Sequence, residues 1–480
     1  MTKWIAVIAA GLMMVTPPAA GRNGVDWHRC AQAADDTEGQ ELDAAGVQCA
    51  EVTVPVDHAR PGGRTLTVAI ARSVAPDHVH RAGILMINLG GPGSPVLGVV
   101  PAARAVMGAA GARFDLIGMD PRFAGRSSPI DCGWPESWLP RSAGATRASF
   151  DRITRLSRDL ARRCTDDRLR HMSSADTARD MDAVRVALGE PKLSYLGYSY
   201  GTYLGAVYTQ LFAARAGRIV LDSATDPALA GTAQLREAAP FRQAMLREWA
   251  ATAAGTRLGA TADQVVATVE RVYAASARRP LRVGDLRLDD TVVPAIIVNQ
   301  LIDDTGNDGL TATMLELQAA ADGRAATPTD AMRETVSSAL TSDSSAVHSA
   351  QTAIMCADGG IPRDVEFFWR SLRRERAESP VFAPMAWLVP PCSFAPPPLT
   401  PHVDVANRVP ALIVQAEKDI GSQLRGARAL HTAMAGSSMI TLGGARTHGV
   451  YGFRQNACVD DAVNAYLTTG RLPRDREVAC

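Results

Sequence analysis

The chain has 480 residues, 46% hydrophobic and 21% charged, with 50 lysine plus arginine side chains set against 50 aspartate plus glutamate. That length is enough for one large or two ordinary domains with an ample buried core, and the composition is that of a globular protein. With no net formal charge, the chain offers no overall basic footprint of the kind that nucleic-acid binding needs.

The N-terminus reads as an export signal. Lys3 supplies a thin positive region, Trp4 to Val15 is apolar, and Thr16-Pro17-Pro18-Ala19-Ala20 follows. The apolar run is short for a membrane span, so residues 1–20 are expected to be a signal peptide, with a retained anchor as the other reading. Eight cysteines follow: Cys30, Cys49, Cys132, Cys164, Cys356, Cys392, Cys458 and Cys480. None forms a C-x-x-C pair, so zinc or thioredoxin-like chemistry is not indicated. In an exported chain they are expected to form disulfides, paired in chain order so that four local loops close. The expected location is therefore secreted or cell envelope.

Val25 to Cys49 reads as a polar, irregular extension. Ala50 to Val56 and Thr65 to Ala71 read as a hairpin around the Arg60-Pro61-Gly62-Gly63 turn signal. Ile84 to Asn88 and Phe114 to Met119 are continuous apolar runs, the signature of buried strands. The first ends in Gly90-Gly91-Pro92-Gly93, the second in Asp120-Pro121-Arg122. Asp176 to Leu188 reads as a helix, with Met181, Val184 and Leu188 on one face and Gly189 and Pro191 at its stop. Lys192 to Leu196 is a strand, Thr202 to Phe212 a helix and Arg218 to Asp222 a strand. Strands alternating with helices predict an α/β protein with a mostly parallel sheet flanked by helices. From about Thr225 to Pro401 the pattern turns helical, with loops expected at Leu301 to Gly309 and Asp322 to Asp330. Val409 to Gln415 and Ser438 to Leu442 are strands again. The segment between is therefore expected to be a large helical cap insertion. The expected division is 21–224 for the first part of the core, 225–400 for the cap and 401–480 for the last part of the core.

Between the fifth expected strand and its helix stands Gly197-Tyr198-Ser199-Tyr200-Gly201, a G-x-S-x-G sequence. On a sharp strand-to-helix turn this spacing presents the serine hydroxyl clear of the backbone as a nucleophile. A serine nucleophile needs a base, and the base an orienting acid. In nucleophile-elbow proteins the order is serine, acid, histidine. His348, His402, His431 and His448 follow Ser199. Asp419 lies just past an expected strand, with Glu417 as its competitor. Beyond Asp419, His431 falls in a helical stretch, whereas His448 lies in a loop directly after a strand. The predicted catalytic set is Ser199, Asp419 and His448. The carbonyl oxygen under attack needs N–H donors. Those of Tyr200 and Gly91 are expected to supply them, with Gly90 second to Gly91, because Pro92 has no N–H. These residues imply no metal or organic cofactor.

The chain resembles the secreted bacterial α/β-hydrolase peptidases of the tripeptidyl aminopeptidase type, related to proline iminopeptidases. The matching stretches are Cys49 to Asp57, Asn88 to Gly93, Gly118 to Arg122 with Gly125-Arg126-Ser127, Gly197 to Thr202, Ile354-Met355-Cys356-Ala357-Asp358, Asp419, and His448 to Tyr451. The tail from Cys458 through Gly470-Arg471-Leu472-Pro473 resembles that family's C-terminal segment. The resemblance implies an α/β-hydrolase fold, the same three catalytic residues, and a peptide substrate cut near its free N-terminus. Asp303, Asp304 and Asp358 are available to hold the substrate ammonium, and spacing does not choose among them. Three departures stand out: Phe123 in place of an expected glycine, where it could alter the pocket floor; Ile420-Gly421-Ser422 in place of a proline-containing turn; and Phe394-Ala395-Pro396 after Cys392 in place of a tryptophan. A carboxylesterase with the same residues is the alternative enzyme, and a non-catalytic binding protein on this scaffold the alternative of another class.

Overall fold

The computed structural model of the protein describes residues 24–229 and 231–480. The expected signal peptide therefore lies outside the described residues. Eleven strands run in chain order: β1 (Gln48–Pro55), β2 (Thr65–Ser73), β3 (Ile84–Asn88), β4 (Asp115–Met119), β5 (Leu193–Tyr198), β6 (Ala216–Asp222), β7 (Leu281–Val283), β8 (Leu286–Leu288), β9 (Ala411–Ala416), β10 (Ser438–Leu442) and β11 (Glu477–Ala479). Nine form one sheet in the order β1-β2-β4-β3-β5-β6-β9-β10-β11. β1 pairs antiparallel with β2, and β2 with β4; the other neighbours are parallel.

Every residue of β3, β4, β5 and β9 is buried, because helices cover both faces of the sheet. Alternate side chains serve the two faces. Ile84, Met86, Ile219, Leu221 and Ile413 pack with Met181, Val184, Leu204, Val207 and Leu430, which come from the helices Ser174–Ala187, Tyr200–Leu211 and Leu424–Ala433. Leu85, Ile87, Val220, Leu412 and Val414 pack on the other face with Val100, Met107, Val463 and Leu467, from the helices Val100–Gly111 and Ala457–Thr469. This is the α/β-hydrolase arrangement: a mostly parallel sheet with an antiparallel entry hairpin, covered by helices on both sides.

Between β6 and β9 the described residues add no strand to this sheet. They form helices and the short β7–β8 hairpin, whose apolar side chains gather in a cluster of their own around Trp249, Val269, Ile296, Ile297 and Leu317. Trp249 is fully buried, and its indole N–H donates to Asn307 O at 3.1 Å.

Four disulfides close as expected from chain order: Cys30–Cys49, Cys132–Cys164, Cys356–Cys392 and Cys458–Cys480. Three expectations are corrected. The extension 25–49 is not wholly irregular: Thr37–Ala44 is a helix, started by the Asp36 side chain, which accepts from Gly39 N. The expected loop at 301–309 is mostly structured, since a single turn at Asp304–Gly306 leads directly into the helix Asn307–Ala321. Phe123 does not line the cleft that holds Ser199; it is fully buried in the core at φ +63°, the left-handed conformation that explains the expected glycine.

The Asp120-Pro121-Arg122 segment ties the sheet to its surroundings. Asp120 accepts from Val96 N at 2.7 Å and Arg126 N at 2.8 Å, fixing the loop beyond Gly90-Gly91. The Arg122 guanidinium forks onto Asp180 at 2.6 and 2.7 Å and donates to Val56 O and His171 O, both side chains being wholly buried. A planar fork saturated in this way is the geometry in which a buried ion pair is tolerated.

Candidate active site

β5 runs into the helix Tyr200–Leu211 with no intervening loop, and Ser199 is the hinge residue at φ 55°, ψ −125°. A serine held at positive φ is strained, and such strain persists where the surroundings over-determine it. Here strand and helix cross so closely that a Cβ on Gly197 would lie 2.5 Å from Gly201 O, and one on Gly201 2.6 Å from Asn88 O. Ser199 N donates to Asp222 O at 3.0 Å, which secures the elbow to the end of β6.

The loop after β3 packs on the elbow. A Cβ on Gly90 would approach Tyr200 N to 2.9 Å, so only glycine permits this contact. Gly90 N–H is committed to the Asn88 side chain at 2.9 Å. Among the described residues, the N–H groups of Gly91 and Tyr200 have no partner. Of these two glycines, Gly91 is thus the one whose N–H is left without a partner.

Asp419 is fully buried just beyond β9 and accepts from Gly421 N at 2.7 Å and Ser422 N at 3.0 Å. Both its oxygens lie 2.9 Å from His448 Nδ1. Burial opposes a charged imidazole, but the Asp419 carboxylate outweighs it and holds the His448 pKa above its ordinary value. The competitors fall elsewhere. Glu417 is exposed and accepts from Gly444 N, His431 bonds Ser437 Oγ just past the end of its helix, His348 is buried in the helix Ser345–Asp358, and His402 stacks on Tyr203. Gly421 explains one departure from the expected sequence: a Cβ there would stand 2.7 Å from His448 Nδ1.

Sequence reasoning missed Asp222 and Ser223, at the end of β6. The Asp222 carboxylate, fully buried, accepts from Val450 N and Tyr451 N, and Ser223 Oγ accepts from Gly449 N at 2.7 Å. The strand end that anchors the elbow therefore also anchors the histidine loop. Burial pushes the Asp222 pKa up to about 7, against the pull of these N–H groups. The only sequence signal was an aspartate closing an apolar run.

Ser199, Tyr200 and Gly91 line one cleft together with Tyr203, Asp226, Arg242, Gln351, Ile354, Met355, Asp358 and Gly421. Of the three candidate ammonium-binding acids, Asp358 alone is among its lining residues. Asp303 and Asp304 pair with Arg454 instead, and Asp303 accepts from Thr447 Oγ1, bracing the histidine loop from behind. Asp358 accepts from Ser174 N at 2.6 Å and from Ser174 Oγ, which also contacts Tyr200 OH at 2.6 Å. Burial pushes its pKa up to about 7.

A family model described as "TAP-like protein" matches residues 379–480. The chain is 33% identical to a tripeptidyl aminopeptidase of Streptomyces lividans, over 96% of this chain and 87% of that one. It is 28% identical to the serine protease Hip1 of Mycobacterium tuberculosis, over 98% and 96% of the two chains. It is 29% identical to carboxylesterase B of the same species, over 97% and 95%.

Proposed function

Because the chain belongs to the tripeptidyl aminopeptidase family and is a serine hydrolase, we propose that it is an exported peptidase that cuts peptides near a free N-terminus through an acyl-enzyme on Ser199. His448 takes the Ser199 proton as Oγ bonds to the scissile carbonyl carbon. Asp419 keeps the imidazole in the tautomer that can accept at Nε2, and the N–H groups of Gly91 and Tyr200 receive the developing oxyanion. The proton then passes to the leaving amine as the C–N bond breaks. Water, activated by the same histidine, releases the acyl group and restores Ser199.

The observation that carries the choice of substrate is Asp358, a buried carboxylate in the cleft that also holds Ser199. An ammonium placed there would recover the ionised form of a group that burial otherwise disfavours. Export is supported by the four disulfides, and among the described residues no helix is long and apolar enough to cross a membrane. The relative named carboxylesterase B favours a second reading, an esterase with the same residues.

Initial rates on a tripeptide aryl-amide with a free N-terminus, its N-acetylated form and a short-chain aryl ester separate the two. The peptidase reading expects the free amide to be turned over at least about tenfold faster than the blocked one, with that ratio lost in Asp358→Asn. Ester turnover without amide cleavage would leave the esterase.

A further inference from the structure

The cleft contains a charge that the mechanism does not use. Arg242, on the helix Ala239–Thr252, lines it, as do Gly421 and Gln234. Among the described residues its guanidinium makes no hydrogen bond and no ion pair, and its Nε is fully enclosed without a partner. Asp226 also lines the cleft, but its carboxylate accepts from Ala228 N and forms no ion pair with Arg242. Burial with no compensating counter-charge lowers the Arg242 pKa to about 10, so the group remains a cation at neutral pH. The side chain is partly buried, with its Nε enclosed, and a cation left unpaired in that setting is disfavoured until an anion arrives.

The side of the cleft on which Arg242 lies follows from its neighbours. Its charge opposes protonation of the His448 imidazole, and Gly421, which lines the same cleft, abuts His448 Nδ1. The imidazole hands its proton to the leaving amine, so groups on the histidine side face the departing part of the substrate. Asp358 belongs to a different wall, formed with Gln351, Ile354 and Met355 from the helix Ser345–Asp358.

Resting on the peptidase reading, we propose that Arg242 binds a carboxylate on the leaving side of the scissile bond, so that the substrate is a short peptide whose C-terminal carboxylate lies close to the cut. Asp358 and Arg242 then grip the two ends of one zwitterionic oligopeptide, and the enzyme finishes peptides that other proteases have already shortened. A planar fork of N–H donors suits a carboxylate and gives nothing to a neutral carboxamide acceptor beyond ordinary bonds.

The test is kcat/KM on a ladder of alanine peptides from two to five residues, each as the free acid and as the C-terminal amide, with the tripeptide aryl-amide as the reference. The proposal expects the acid to exceed the amide at least about tenfold at the length that leaves the carboxylate nearest the cut. The ratio should fall toward one in Arg242→Met and recover in part in Arg242→Lys. Equal rates for acid and amide with the wild-type protein overturn it without any variant, while cleavage of the aryl-amide would leave the peptidase reading standing. A preference for glutamate over glutamine on the acyl side of the cut, with none for the free acid, would also overturn it. If no peptide or aryl-amide is cleaved at all, the peptidase reading itself has failed.

Discussion

At the scale of single residues, the site depends on what is kept small and what is kept charged. Gly421 leaves room for the His448 ring, and a methyl group there would press on Nδ1 from 2.7 Å. Gly421→Ala is therefore expected to displace the imidazole and lower kcat/KM on the order of 10²-fold, the effect of misplacing a reacting group by about 1 Å. Steady-state kinetics together with an unchanged thermal midpoint would check it. The charge of Asp419 sets the pH range. As the proposed base His448 works only when neutral, and its pKa is raised, so kcat/KM should fall as pH drops through a midpoint above the ordinary histidine value of 6.5. A pH–rate profile reads that midpoint directly. In Asp419→Asn the acid limb should move down while the rate falls about 10³- to 10⁴-fold, because the wrong tautomer is then favoured.

At the scale of elements, the wall that carries Asp358 is tethered. Cys356, two residues before it, is bonded to Cys392 across a separation of 36 residues. Closing a loop of that length stabilises by about 3–4 kcal/mol in the chain-entropy account. The double variant Cys356→Ser/Cys392→Ser should melt at lower temperature and also discriminate less between free and blocked N-termini, as measured by calorimetry and by the rate ratio. A lower melting point with an unchanged ratio would show that the helix Ser345–Asp358 holds its place without the bridge.

Elements also show what could be read in advance. The runs at Ile84–Asn88 and Ala411–Ala416 were legible because a parallel strand buried on both faces is largely apolar. β11 was not, since Glu477-Val478-Ala479 is a three-residue edge strand with little burial. Ser199, Asp419 and His448 could be proposed from the sequence because nucleophile-elbow proteins carry serine, acid and histidine in that chain order. Asp222 could not, because its role rests on N–H groups more than two hundred residues away at Val450 and Tyr451. Arg242 was silent for a different reason: nothing in a helical, arginine-bearing stretch marks the guanidinium that lines the cleft holding Ser199.

At the scale of the whole molecule, the sheet and the segment between β6 and β9 divide the work. The strand ends supply Ser199, Asp419 and the Asp222 anchor, all on one packed framework whose core is closed on both faces. The intervening segment brings Arg242 and Asp358 over them from separate helices. In the proposed mechanism the sheet thus fixes the chemistry, and the segment laid over it the choice of substrate. Covalent catalysis at Ser199 is read by intact-mass spectrometry of acid-quenched protein during turnover of a tripeptide aryl ester. The prediction is a mass increase equal to the tripeptidyl acyl group, mapped to the peptide that contains Ser199 and absent in Ser199→Ala. Turnover by Ser199→Ala at the wild-type rate, or an adduct on another residue, would contradict it.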